Sequence, residues 1–440
     1  MRSTFQLGLA ALAALQACAF LPAAAAQTAA VPQISPAKGT PGRTGPICDC
    51  PQETRAPVTI LISIDGFRPD YLDRGVTPVL SRLAAEGASA AMRPSFPSKT
   101  YPNHWTLVTG LRPDRHGIVA NKMEDARRPG ETFTMATDDP FWWNAAEPVW
   151  LDAERAGIRT GAQFWPGSNV AIGGRKEKPT DWETIGGERP ADWAEFNQAI
   201  TGEQRVDGIL DWLRRPAAKR PRFLTLYFDV VDSAGHEFGP SDGRTLEAVA
   251  QVDKWMGQLV DGLAALGQPA NLVIVSDHGM APTQSSRVVV LGQMLPLDDI
   301  ELFESGTYAS LTPVPGKEAA VEKVLLGKHA HMECWRKRDI PARFHYGANP
   351  RIPPIFCLAE TGWLINAKAP EKRFAGGNHG YDNYSPEMAA LFIGHGPAFR
   401  PATLPAFDNV DVYPLLRDLM GLPAKPGVDG TDAVFRIAIR

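Results

Sequence analysis

Asp277 and His278 close the apolar run LVIVSDHGM (272–280), and three other segments carry side chains of the same kind. Asp65 ends VTILISID, Asp232 and His236 stand four apart in DVVDSAGHEFG, and His379 lies in GGNHGYDNYSP. Carboxylates and neutral imidazoles suit a divalent ion such as zinc. A four-residue spacing lets one helical turn or a compact loop aim Asp232 and His236 at a single ion. Read alone, each segment is also compatible with an ordinary cap or turn. A fifth segment, SFPSKTYPNHWTLVTG (95–110), puts Thr100 on a proline-punctuated loop that leads into a short helical run. Its hydroxyl there is either an N-cap or a nucleophile, and a nearby metal ion favours the alkoxide at neutral pH.

These side chains need rigid elements to hold them. VTILISID, RFLTLYFDVVD (222–232) and NLVIVSD read as strands with an acid at the C-terminal end: Asp65, Asp232 and Asp277. MAALFIGHG near the end of the chain reads as a fourth strand. TPVLSRLAAEG and TLEAVAQVDKWMGQLVDGLAAL have helical periodicity. The alternation predicts an α/β fold: a mostly parallel central sheet with helices on both faces. Such sheets place their sites at the C-terminal edge of the strands. Two irregular regions rich in Gly, Pro and Trp, about 122–221 and 281–378, read as insertions that form substrate walls.

The 440 residues allow a large core, with 44% apolar residues, 21% charged residues and a net charge of −4. That balance argues against a basic face for duplex nucleic acid. Residues 1–26 read as an export signal ending at Ala24-Ala25-Ala26, which predicts a periplasmic or secreted protein. Leu15-Gln16-Ala17-Cys18 loosely resembles a lipid-attachment box, which keeps lipoprotein anchoring open. Residues 27–56 read as a flexible leader and 57–440 as the catalytic domain. No later stretch approaches the roughly 20 apolar residues of a membrane helix. Export permits disulfides, and Cys334–Cys357 is the preferred bridge over pairings with Cys48 or Cys50.

Seven segments in order resemble the nucleotide pyrophosphatase/phosphodiesterases of the alkaline phosphatase superfamily. They are SIDGFRPDYL, SFPSKTYPNHWTLVTG, RPDRHGIVANKMED, FWPGSNV, YFDVVDSAGHEFGP, VSDHGM and GNHGY, spanning about 57–385. The resemblance implies an alkaline-phosphatase-like fold and two zinc ions per chain. Asp65, Thr100, Asp277 and His278 would bind one ion, and Asp232, His236 and His379 the other. It makes Thr100 the nucleophile of a nucleotide diester or anhydride, with a threonine-linked nucleotidyl intermediate and release of a nucleoside 5'-monophosphate. Asn121 and the Tyr101 backbone N–H would donate to a non-bridging phosphate oxygen. Tyr101 and Tyr227 would stack on the base, beside Trp165 and Pro166. Lys99 is a candidate for phosphate charge, whereas His104 and His116 have structural roles. His329 and His331 fall in a solvated loop. A phospholipid-choline phosphodiesterase or a phosphomonoesterase of the same superfamily remains the alternative. A monoesterase typically sets an arginine beside its nucleophile, where this chain has Tyr101. The resemblance leaves oligomeric state open.

Overall fold

The β-branched run Val58–Ile64 (β1) is fully buried, because it lies at the middle of the sheet with a layer on each face. The computed structural model describes residues 54–178 and 180–440; the export signal, nearly all of the leader and Cys18, Cys48 and Cys50 lie outside the described residues. The other main strands are β2 (Ala88–Arg93), β3 (Thr160–Gln163), β4 (Asp192–Ala194), β5 (Phe223–Phe228), β6 (Ala270–Val275) and β7 (Ala390–His395). Their spatial order is β2-β7-β6-β1-β5-β3-β4, with the short strands Ala402–Thr403 and Phe407–Asp408 both pairing β2. β7 runs antiparallel to β2 and β6, and the other pairings are parallel.

Alternation along the strands splits the core in two. Ile60, Ile62 and Ile64 face Leu224, Leu226, Leu272 and Ile274 on one side. Leu61, Phe223, Val273 and Val275 face the other. Helices α1 (Pro78–Glu86), α3 (Gly202–Arg214) and α5 (Gly243–Ala265) cover the first face. On α5, Val249, Val252, Met256, Leu259 and Leu263 recur at helical spacing and are buried. Each such side chain contributes roughly 1.5–3 kcal/mol on burial. Helices α2 (Thr100–Thr109) and α6 (Val412–Met420) lie on the second face, among Trp105, Val108, Leu415 and Leu416. Helices therefore pack on both faces, as expected.

Three expectations are corrected. The run 222–232 is not one strand: β5 ends at Phe228, and Asp232 lies in the first turn of helix α4 (Val230–Phe238). Val230 and Val231 prolong the β-branched pattern, so the sequence hides the switch. Nor is 122–221 simply an insertion, because β3, β4 and α3 within it belong to the central sheet and its helical layer. Region 281–378 carries a separate antiparallel sheet of five strands. There Cys334 and Cys357 are direct cross-strand partners and form a disulfide. The HAH pair is not simply solvated loop: His329 ends strand Gly327–His329 and its Nε2 lies 2.7 Å from the Leu325 carbonyl, while His331 stacks on Trp363. Among the described residues no helix is long and apolar enough to cross a membrane.

Candidate active site

Two strand ends, a helix and a loop bring the predicted acids and histidines together. Asp65 follows β1, and Asp277-His278 follow the neighbouring β6, so adjacent parallel strands deliver three side chains to one edge. His278 Nε2 lies 2.9 Å from Asp277 Oδ2 and 3.5 Å from Asp65 Oδ1. Asp232 comes from α4, one turn before His236, and His379 from the loop after strand Ala375–Asn378. His379 Nε2 lies 3.1 Å from His236 Nε2 and 3.6 Å from Asp232 Oδ1. The two groups abut, with the His278 and His379 rings stacked at 3.5 Å.

The supporting hydrogen bonds determine which atoms remain for a ligand. The Nδ1–H groups of His236, His278 and His379 donate to the carbonyls of Gly377, Gly279 and Ser98. A carbonyl can only accept, so in the neutral form of each ring Nε2 keeps its lone pair. The two Nε2 atoms 3.1 Å apart therefore cannot satisfy each other. Tyr227 O–H donates to Asp65 Oδ2 at 2.7 Å, and Gly66 N–H donates to Asp277 Oδ1 at 3.2 Å. The opposite oxygens, Asp65 Oδ1 and Asp277 Oδ2, are buried without a hydrogen bond, as is Asp232 Oδ1. Buried polar atoms rarely stay unpartnered. Three orphaned carboxylate oxygens converging with three imidazole lone pairs fit divalent cations of the zinc type. Compact donor triads form around Asp65, Asp277 and His278, and around Asp232, His278 and His379.

Electrostatics agree. Burial and the charges of Asp277 and Asp232 push the Asp65 carboxyl well up. Burial also acts upward on Asp277, but the His278 and His104 imidazoles overcome it and hold that acid at about 2. Burial, helped by His278, Lys99 and His236, lowers His379 well below the ordinary imidazole range and keeps it neutral. Acids this dry and close ionise together only opposite concentrated positive charge.

Thr100 opens α2, and its hydroxyl lies 3.3 Å from His278 Nε2. The N-cap is Lys99, with no side-chain cap bond, so the capping alternative for Thr100 is not realised. The Tyr101 backbone N–H donates to Asn121 Oδ1 at 2.9 Å. The N–H expected to meet phosphate is bonded to the Asn121 amide here, which leaves that amide's NH2 as a donor. His104 donates from Nδ1 to the Thr100 carbonyl at 2.9 Å and meets Ser63 Oγ through Nε2 at 2.8 Å. It ties the first turn of α2 to the end of β1. Burial lowers the Lys99 ammonium, against the pull of Glu304 and Asp232.

A cavity of about 530 Å³ runs from Thr100 and Asp232 past Asn121 to an aromatic end. Tyr101, Trp165, Pro166 and Tyr227 all line it. Trp165 is only 2% exposed, and its Nε1–H donates to the His104 carbonyl, so it is largely framework. Tyr227 is 8% exposed, with its hydroxyl on Asp65 and its ring 5.2 Å from His104. It therefore does not offer the open face needed to sandwich a base with Tyr101. The open ring is Phe196, 45% exposed and 5.7 Å from Tyr227, with Phe164 behind it at 5.9 Å. Sequence reasoning missed both. Phe196 lies in an irregular stretch whose pattern carries no signal for it.

A model for the family described as type I phosphodiesterase / nucleotide pyrophosphatase matches residues 59–382. Ectonucleotide pyrophosphatase/phosphodiesterase family member 1 of Rattus norvegicus is 36% identical over 396 residues, 86% of this chain and 42% of its own length. Bis(5'-adenosyl)-triphosphatase enpp4 of Xenopus laevis is 36% identical over 381 residues, 86% of this chain and 80% of its own. The chain thus spans less than half of the rat relative. A solved structure of murine ectonucleotide pyrophosphatase/phosphodiesterase 5, an inactive variant in complex with AMP, matches with TM-score 0.80 and 33% identity. That match covers 88% of this chain and 100% of the murine chain.

Proposed function

This chain belongs to the type I phosphodiesterase / nucleotide pyrophosphatase family, and from that premise we propose that it hydrolyses nucleotide phosphodiesters and phosphoanhydrides to a nucleoside 5'-monophosphate. The observation that carries this reading is the Thr100 hydroxyl 3.3 Å from His278, beside two abutting donor sets whose carboxylate oxygens are orphaned. Two zinc ions, held by Asp65, Thr100, Asp277 and His278 and by Asp232, His236 and His379, would supply Lewis-acid charge to the nucleophile and the leaving oxygen. Thr100 Oγ1 attacks phosphorus in line, its proton passes through solvent to the departing oxygen, and a nucleotidyl-threonine ester forms as the P–O bond to the leaving group breaks. The leaving oxygen faces Asp232, His236 and His379. Water then attacks the same phosphorus, the bond to Thr100 breaks, and the hydroxyl is restored. The Asn121 amide donates to the non-bridging oxygen as charge builds on it. The aromatic end of the cavity takes the base.

The Cys334–Cys357 disulfide supports an oxidising, extracytoplasmic location. Turnover of the p-nitrophenyl ester of thymidine 5'-monophosphate by metal-analysed protein tests the activity. Faster turnover of p-nitrophenyl phosphate would instead make the protein a phosphomonoesterase.

A further inference from the structure

Arg205 is the fourth residue of α3 and is 2% exposed. That is a poor place for a cation. The N-terminal end of a helix disfavours positive charge, and a buried ion pair adds little net stability over apolar packing. The contacts of Arg205 instead gather parts of the cavity wall. Its Nε–H donates to the Ile200 carbonyl at 3.0 Å, and one terminal N–H group reaches the Tyr227 carbonyl at 2.9 Å and Asp229 Oδ1 at 2.8 Å. The guanidinium carbon lies 5.0 Å from the Phe164 ring centroid and 5.3 Å from that of Phe196.

Both rings need such a support. Phe164 has φ 65, a left-handed conformation that a bulky residue adopts only when its surroundings impose it. Phe196 is 45% exposed in a segment between β4 and α3, where nothing regular fixes its ring. Phe164, Phe196, Tyr227 and Asp229 all line the cavity. One planar cation joins them through hydrogen bonds and two ring faces.

We infer that Arg205 is a positioning residue that sets selectivity for nucleotides, by holding Phe164 and Phe196 as a preformed wall for a planar base. The inference rests on the nucleotide reading proposed above. Arg205 touches neither the reacting atoms nor the metal-ligand side chains. Its loss therefore acts on the organic end of the substrate.

The test compares wild type, Arg205→Lys and Arg205→Met on the p-nitrophenyl ester of thymidine 5'-monophosphate and on methyl p-nitrophenyl phosphate. Zinc content and thermal melting are measured alongside. Lysine keeps the charge but not the planar fork, so it decides the question even where the methionine variant misfolds. For Arg205→Lys, kcat/KM on the nucleotide ester should fall about tenfold, mainly through KM, while the methyl ester changes by less than threefold. Inhibition by thymidine 5'-monophosphate should weaken by a similar factor. An equal fall on both substrates, or an unchanged ratio between them, overturns the inference and leaves the nucleotide reading standing. Absence of any nucleotide preference in the wild type removes that reading and this inference with it.

Discussion

The backbone N–H of Tyr101 donates to Asn121 Oδ1 at 2.9 Å, joining the residue after Thr100 to an amide that lines the cavity. The bond decides which end of that amide is which. With Oδ1 held by an N–H, the NH2 must point away from Tyr101. A carboxylate at this position would keep the bond to Tyr101 and replace the donor with negative charge.

Asn121→Asp should therefore cost more than Asn121→Ala, although it is the smaller change in shape. Removing one preorganised donor typically lowers kcat by about 10²–10³-fold. Steady-state rates on a nucleotide ester give the order. Equal rates for wild type and Asn121→Ala would remove this amide from the mechanism.

Thr100→Ala should abolish turnover while leaving the fold. The hydroxyl is 3.3 Å from His278 Nε2 and makes no cap bond, so removing it costs α2 little. Rates within tenfold of wild type in the purified variant would exclude a threonine-linked intermediate. Trapping labelled nucleotide on wild type but not on the variant supports it directly.

Prolonged chelation should remove activity, and added zinc should restore it. The same treatment should lower the melting temperature, because ligands that bind only the native state stabilise it by about 2.7 kcal/mol at 100 times the dissociation constant. Asp277→Ala and His379→Ala should each lose about one ion per chain, since they sit in different donor groups. Full activity in protein free of metal by elemental analysis would contradict the whole site.

Much of this site can be read along the chain because β1 and β6 stop at acids. Ile64-Asp65 and Val275-Ser276-Asp277-His278 are apolar strands that end in ligand-type residues, and their pairing in register brings them together. Asp232 and His236 were legible as a pair by spacing, although the Val230-Val231 run hid the helix that carries them. The wall was not legible. Phe196 lies in an irregular stretch, and Tyr227 reaches Asp65 across 162 residues of sequence, a contact that no local pattern encodes. β3 is only Thr160–Gln163, too short and too polar to be recognised without its neighbour β5.

Tyr227 offers two separable roles. Its hydroxyl fixes Asp65 Oδ2, and its ring packs between His104 and Phe196. Tyr227→Phe removes only the first and should weaken metal affinity by about 10–100-fold, the usual effect of losing such a supporting bond. Its preference for nucleotide over methyl aryl diesters should persist at saturating zinc. Tyr227→Ala removes both and should narrow that preference as well. If Tyr227→Phe binds zinc like wild type, the phenol does not support the metal ligands.

His116 gives the fold a pH dependence distinct from that of the site. The ring is fully buried and packs under α2. Its Nδ1 accepts the Ile118 backbone N–H at 3.1 Å, and its Nε2 lies 3.1 Å from the Pro102 carbonyl and 3.0 Å from Thr106 Oγ1. That pattern requires the neutral ring protonated at Nε2. A second proton on Nδ1 would break the Ile118 bond and bury a charge. Burial accordingly lowers His116 to about 3. The unfolded chain takes up this proton near the ordinary value of about 6.5, so between those values the unfolded state binds more protons. Stability is full above about pH 6.5 and is lost as pH falls toward about 3. The contribution is about 1.4 kcal/mol per pH unit within that window. Urea unfolding of wild type and His116→Gln at pH 7.0, 6.0 and 5.0 reads the difference directly. The variant should start less stable at pH 7.0 and lose stability more slowly on acidification, so the two curves converge. Parallel curves would mean that His116 accepts its second proton in the folded protein without penalty.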